Sequence, residues 1–188
     1  MIALKNVLVA TDFSEPSTTA LEYGRALART FNASLHVVHV VDNFMLQGML
    51  ADAAPAHYGN LLEELEAAGR RQLEATIGED DRRELGATTT LMTFTAPAHG
   101  IVTYAKNANI DLIVMGTHGR GGWSHLVMGS VAERVVRLAP CPVLTVRHPE
   151  HEFLRPDALQ LVEHAKSSRE GEPITFNRET AETAEKNP

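Results

Sequence analysis

Leu112-Ile-Val-Met115 is an apolar run, and Val131, Val135 and Leu138 further along share one helical face. Between them lies a glycine-rich stretch, Gly116-Thr-His-Gly-Arg-Gly-Gly-Trp-Ser-His-Leu-Val-Met-Gly-Ser130. The order strand, glycine-rich connection, helix constrains the chain strongly. A continuous apolar run of this length suits a strand buried on both faces. Glycines let a backbone come close to a ligand and take positive φ, and the unpaired amides of a helix start favour an anion. The stretch is therefore expected to hold phosphate. Gly129 and Ser130 stand at the expected helix start, which sets a hydroxyl beside those amides.

The rest of the chain repeats the alternation. Residues 7–10 are a second short apolar run. Ser14 can cap a following helix with Pro16 in its first turn, and Ala20, Leu21, Gly24, Leu27, Ala28 and Phe31 recur at helical spacing up to Asn32. Residues 34–41 form the next strand, closed by Asp42. Residues 43–57 are apolar but broken by Gly48 and Pro55, as in a lid or a variable connection packed over the sheet edge. Leu61, Leu62, Leu65, Ala68 and Leu73 predict a long amphipathic helix stopped by Gly78, and the charged run 79–84 a solvated turn. Residues 87–95, rich in threonine, suit an edge strand. Pro97 opens a helix with Ile101, Val102 and Ala105, ended by Asn107 and Asn109; residues 111–115 are the fourth strand. After the helix at 131–138, Pro140-Cys-Pro142 breaks the chain before a fifth strand at 143–146. Such β-α alternation implies an α/β fold, a parallel sheet with helices on both faces and right-handed crossovers. It leaves the strand order open.

A chain of 188 residues is one domain plus an extension, and its 44% apolar content suffices for one core. The net charge of −7 argues against a nucleic-acid partner. With one cysteine, Cys141, no intrachain disulfide framework exists, which fits a reducing, cytoplasmic setting. Residues 1–10 carry no long apolar core, so no signal peptide is expected, and no run approaches the roughly 20 residues of a membrane span.

The glycine spacing is not that of a Walker A loop, and Ser124 stands where a G-x-G-x-x-G would end. Its pattern is G-x2-G-x9-G-S, on Gly116, Gly119, Gly129 and Ser130. With residues 7–14, 39–42 and 139–146, this resembles the ATP-binding branch of the universal stress protein family. The resemblance implies a single Rossmann-like (adenine nucleotide alpha hydrolase-like) domain over 1–148, with a five-stranded parallel sheet of order 3-2-1-4-5. Residues 149–188 would be a C-terminal extension, partly helical or disordered. In that order strands 1 and 4 are neighbours, and ligands bind where the winding reverses, at the strands' carboxyl ends.

The resemblance also assigns roles. Gly116, Gly119, Gly129 and Ser130 would hold a triphosphate, largely through amides. Asp12 would accept hydrogen bonds from ribose hydroxyls, and Ala10, Val40 and Met115 would flank adenine, with the main chain of Val40 at the base edge. Thr11, His118, Arg120 and Val131 complete the candidate set. The expected ligand is ATP with Mg²⁺. A homodimer is implied through antiparallel pairing of residues 143–146, as is a regulatory role in stress response through a protein partner. The alternatives are an ATP-using enzyme on the same fold, by slow hydrolysis or adenylyl transfer, and a dimeric scaffold with nucleotide as filler. No dedicated catalytic group is nominated: the stretch has no lysine and no paired carboxylates beside Ser130.

Each assignment has a plainer counterpart. Asp12 could be a helix-entry residue, the glycines a tight turn, and Arg120 a solvated loop arginine. His118 and His125 could touch phosphate. Trp123 is either an exposed contact or a packing anchor. His36 and His39, three apart in a strand, point to opposite faces and cannot share a metal. Cys141 suits a buried small residue better than a nucleophile.

Overall fold

A computed structural model describes residues 3–44, 55–117 and 128–147, with backbone alone over 55–58. Three expectations lie outside the described residues: the apolar connection 45–54, the middle of the glycine-rich stretch with His118, Gly119, Arg120, Trp123 and His125, and the extension from 149.

The elements are β1 (Asn6–Ala10), α1 (Glu15–Phe31), β2 (Ser34–Asp42), α2 (Pro55–Thr76), α3 (Glu79–Leu85), β3 (Thr88–Phe94), α4 (Pro97–Asn107), β4 (Leu112–Gly116), α5 (Ser130–Leu138) and β5 (Val143–Val146). The five strands form one parallel sheet of order β3-β2-β1-β4-β5. The apolar runs lie at its centre because each is covered twice. Val7, Val9, Val37 and Val114 pack against Ala20, Leu21 and Ala28 of α1, Leu73 of α2 and Leu85 of α3. Leu8, Ala10, Val38, Ile113 and Met115 pack on the other face against Ala98, Ile101 and Ala105 of α4 and Ala132 and Val135 of α5. The result is the parallel sheet with helices on both faces expected from the alternation, in the Rossmann-like strand order that the resemblance implied.

Helix α1 follows Ser14, carries Pro16 in its first turn, and ends at Asn32 in the left-handed region, φ 53°. Ser14 takes the N-cap position but its side chain makes no cap bond; its hydroxyl goes to Asp12 instead.

The charged run at 79–84 is a helix rather than a solvated turn. Its acids, Glu79, Asp80 and Asp81, come first, its bases Arg82 and Arg83 last, and Gly86 closes it at φ 53°. That charge order suits the helix dipole, and a left-handed glycine is a common helix stop. Asp81, 6% exposed, accepts the Gly78 amide and both Nε and Nη2 of Arg25, at 3.0 and 2.8 Å. Helix α2 also begins earlier than its apolar stripe, at Pro55, so part of the expected 43–57 connection is helical.

Candidate functional site

The site is built where β1 and β4 lie side by side, with Ala10 in register with Met115. The chain after β1 enters α1 on one face of the sheet, and the chain after β4 leads to α5 on the other. The two connections diverge, and a winding reversal of this kind is where a ligand crevice is expected, at the strands' carboxyl ends.

Ala10 and Met115 are buried on the α4–α5 face, where Val40, Met128 and Val131 pack partly buried against the same cluster. Val38 is in register with Ala10, so Val40 lies two residues nearer the carboxyl end of β2. A Cβ built on Gly100 of α4 would sit 3.3 Å from Val40 Cγ1, so that glycine lets the helix close over this edge. These side chains make an apolar floor.

The turn after β1 is held by hydroxyls. Thr11 is buried; its amide donates to Val38 O at 2.9 Å, and its Oγ1 shares a 3.1 Å hydrogen bond with Ser17 Oγ. Phe13 N donates to Thr11 Oγ1 at 3.0 Å. The half-buried Asp12 carboxylate accepts the Ser14 amide at 3.2 Å and the Ser14 hydroxyl through Oδ1. Asp12 is thus a turn residue as well as a candidate ligand contact. Phe13 sits at φ 65°, which costs a side-chain-bearing residue about 1–2 kcal/mol.

The two ends of the glycine-rich stretch are tied together. Thr117 N donates to Val146 O and Gly129 N to Thr117 O, both at 2.8 Å. Gly116 closes β4, and Ser130 is the exposed first residue of α5. Gly129 is at φ −58°, ψ 146°, open to any residue. Of the two things a glycine can supply, close approach and positive φ, only the first applies at Gly129. Glu133 in the first turn of α5 is paired with Arg137 at 3.3 Å.

Of the candidate residues, the structure gathers Ala10, Thr11, Asp12, Val40, Met115, Gly116, Gly129, Ser130 and Val131 around the carboxyl ends of β1, β2 and β4. His118, Gly119 and Arg120 are outside the described residues. Sequence reasoning missed the Ser14 and Ser17 hydroxyls and a contact from β2: His39 Nδ1 lies 2.8 Å from Thr11 O. The serines' placement just after Asp12 was the available signal; His39 opens the matched stretch 39–42, but nothing there tied it to Thr11.

Other candidates separate from this site. His36 faces α4, with Nδ1 3.0 Å from Tyr104 Oη, and burial lowers its pKa below the ordinary histidine value. His39 faces the opposite side, towards α2. The Cys141 thiol is pushed up by burial and by the charge of Asp111, which keeps it protonated and a poor nucleophile. Among the described residues no group of three or more His, Cys, Asp or Glu could hold a metal, and no helix is long and apolar enough to cross a membrane.

Comparison with known proteins agrees with this architecture. The model of the universal stress protein family matches residues 3–147. A universal stress protein of Methanocaldococcus jannaschii is 35% identical over 149 residues, 79% of this chain and 85% of that protein. The crystal structure of a family member from Burkholderia pseudomallei is 31% identical, with a TM-score of 0.59 over 76% of this chain and 96% of that one. A universal stress protein solved in complex with cAMP is 25% identical, with a TM-score of 0.53 over 78% and 98%.

Proposed function

The chain belongs to the universal stress protein family, and from that premise we propose that it binds ATP with Mg²⁺ in the crevice between β1 and β4 and acts as a nucleotide-dependent regulator. The observation that carries the proposal is the meeting of three chemistries at neighbouring strand ends. Ala10, Met115 and Val40 offer an apolar floor for a planar base. Asp12 offers carboxylate oxygens for ribose hydroxyls. The start of α5, with Gly129 and Ser130, offers amides for an anion. That a similar protein was solved with cAMP supports an adenine nucleotide. Gly119, His118 and Arg120 belong to the phosphate part of the proposal through the glycine spacing alone. The Mg²⁺ would travel with the phosphate oxygens.

The same reading includes a homodimer through β5. Among the described residues this strand pairs only with β4, and Leu144 on it, like Val136 and Leu138 of α5, is an exposed apolar residue. A regulatory protein partner and a cytoplasmic location complete it, with residues 149–188 an extension that nucleotide binding does not need. Hydrolysis is expected to be slow or undetectable.

Titration calorimetry with ATP and Mg²⁺ tests the site. Gly119→Val and Gly129→Val should each abolish binding by filling the space of the phosphates, while the proteins stay folded. Asp12→Ala should weaken binding by roughly 1–3 kcal/mol, the worth of a charged hydrogen bond, with Asp12→Asn between it and wild type. Unchanged affinity in both valine variants would reduce the glycine stretch to a turn and remove the proposal.

A further inference from the structure

Asp12 would have to point its carboxylate at a ribose from a turn that contains a left-handed phenylalanine. That turn needs support from outside itself, and β2 supplies it. His39 Nδ1 lies 2.8 Å from the carbonyl oxygen of Thr11, the residue just before Asp12. A carbonyl only accepts, so Nδ1 must carry the proton and donate. The same imidazole packs on Phe13, the residue just after Asp12, with ring centroids 4.5 Å apart. One side chain thus grips both neighbours of Asp12.

The imidazole is itself held. A Cβ built on Gly69 of α2 would lie 3.3 Å from His39 Cδ2 and 2.7 Å from Leu91 Cδ1, so α2 lies hard against the ring only because residue 69 is glycine. Between Phe13 on one side and α2 on the other, the ring has little freedom to leave the Thr11 carbonyl. The hydroxyl contacts of Thr11, Ser14 and Ser17 fix the turn locally; His39 ties it to the sheet.

We propose that His39 is a positioning residue: by donating from Nδ1 to the Thr11 carbonyl and packing at a tilt against Phe13, it sets the Asp12 carboxylate for ribose hydroxyls and links that carboxylate to helix α2. The proposal rests on the nucleotide-binding reading above.

Two substitutions of similar polarity separate positioning from bulk. His39→Asn keeps an amide donor near the Nδ1 position, whereas His39→Gln moves its donor out towards the Nε2 position. ATP affinity should fall about five- to tenfold in H39Q, the worth of about one hydrogen bond, and return close to wild type in H39N. Against 2′,3′-dideoxy-ATP, which lacks the hydroxyls, wild type, H39N and H39Q should bind alike. Equal losses for ATP and the dideoxy nucleotide in H39Q would overturn the proposal, because the effect would not pass through Asp12. Wild type that binds neither nucleotide would instead overturn the nucleotide reading. One measurement stands apart from nucleotide altogether: ¹⁵N spectra of the imidazole in the ligand-free wild type. The Nδ1–H tautomer is expected, and a dominant Nε2–H tautomer would overturn the proposal even if every variant failed to fold.

Discussion

Gly24 is the point where α1 presses closest on the strand that ends at the candidate site. A Cβ built there lies 2.3 Å from Val9 Cγ2, 3.6 Å from Leu35 Cδ1 and 3.8 Å from Val9 Cβ. Carbon contacts are comfortable at about 3.5–4.0 Å, so the first is short by more than about 1 Å. Val9 and Leu35 are both 0% exposed, so any shift must be taken up within the packed core. Gly24→Ala gains about 1 kcal/mol of helix propensity. Overpacking a tight core costs about 1–3 kcal/mol and occasionally more. A contact this short belongs at the upper end of that range, so a net loss of about 2 kcal/mol is expected. Val9→Ala alone should cost about 2 kcal/mol, from two buried methyl groups and the cavity they leave. In the double variant the alanine methyl enters the room that Val9 vacates. Its cost should be about 1–2 kcal/mol, well below the sum of the singles, a coupling of about 2 kcal/mol. Urea denaturation followed by circular dichroism, at fixed protein concentration without nucleotide, measures all four corners. Additive costs, or a stabilised Gly24→Ala protein, would refute the packing argument.

Asp81→Ala should lower stability by about 3 kcal/mol, the low end for breaking a buried ion pair because Arg25 is partly exposed, and a thermal melt reads it. Joint replacement by Arg25→Met and Asp81→Leu should cost less than Asp81→Ala. Burial of His36 favours its neutral form, so the unfolded chain binds the proton more tightly than the folded one. Stability from this group is full above about pH 6.5 and falls as the pH drops through and below that value; His36→Asn should flatten part of the acid slope of the urea midpoint. Pro142 O accepts from Ile113 of β4 and Val146 O from Thr117 just after it, so strand alternation turns the main chain of Val143 and Thr145 outward. Thr145→Pro should therefore spare the sheet and leave a folded monomer in sedimentation velocity, where wild type should sediment as a dimer; a wild-type monomer at micromolar concentration would refute the dimer.

The sheet was legible because its strands are buried on both faces and so appear as unbroken apolar runs, as at 7–10 and 112–115. Strand order was not contained in those runs and came from the family resemblance. The helix at Glu79–Leu85 was hidden by its composition: a run of charges suggests solvent, and only their order, acids before bases with Gly86 after, carries the helix signal. At the site, the glycine spacing pointed to Gly129 and Ser130 and the family resemblance to Asp12, but neither to what holds them. His39 reaches Thr11 across 28 positions of sequence, and no local pattern encodes such a contact. Gly129 shows the converse: its residue type suggested an unusual backbone, whereas its φ of −58° is ordinary.

The central claim is that an adenine nucleotide occupies the crevice between β1 and β4. Titrating ¹⁵N-labelled protein with ATP and Mg²⁺ and following its amide resonances tests this directly. Saturable shifts should concentrate at Ala10, Thr11, Asp12, Val40, Met115, Gly116, Gly129, Ser130 and Val131, with those of His36 and Arg25 unmoved. The absence of saturable shifts, or shifts that cluster away from the ends of β1 and β4, would contradict the account.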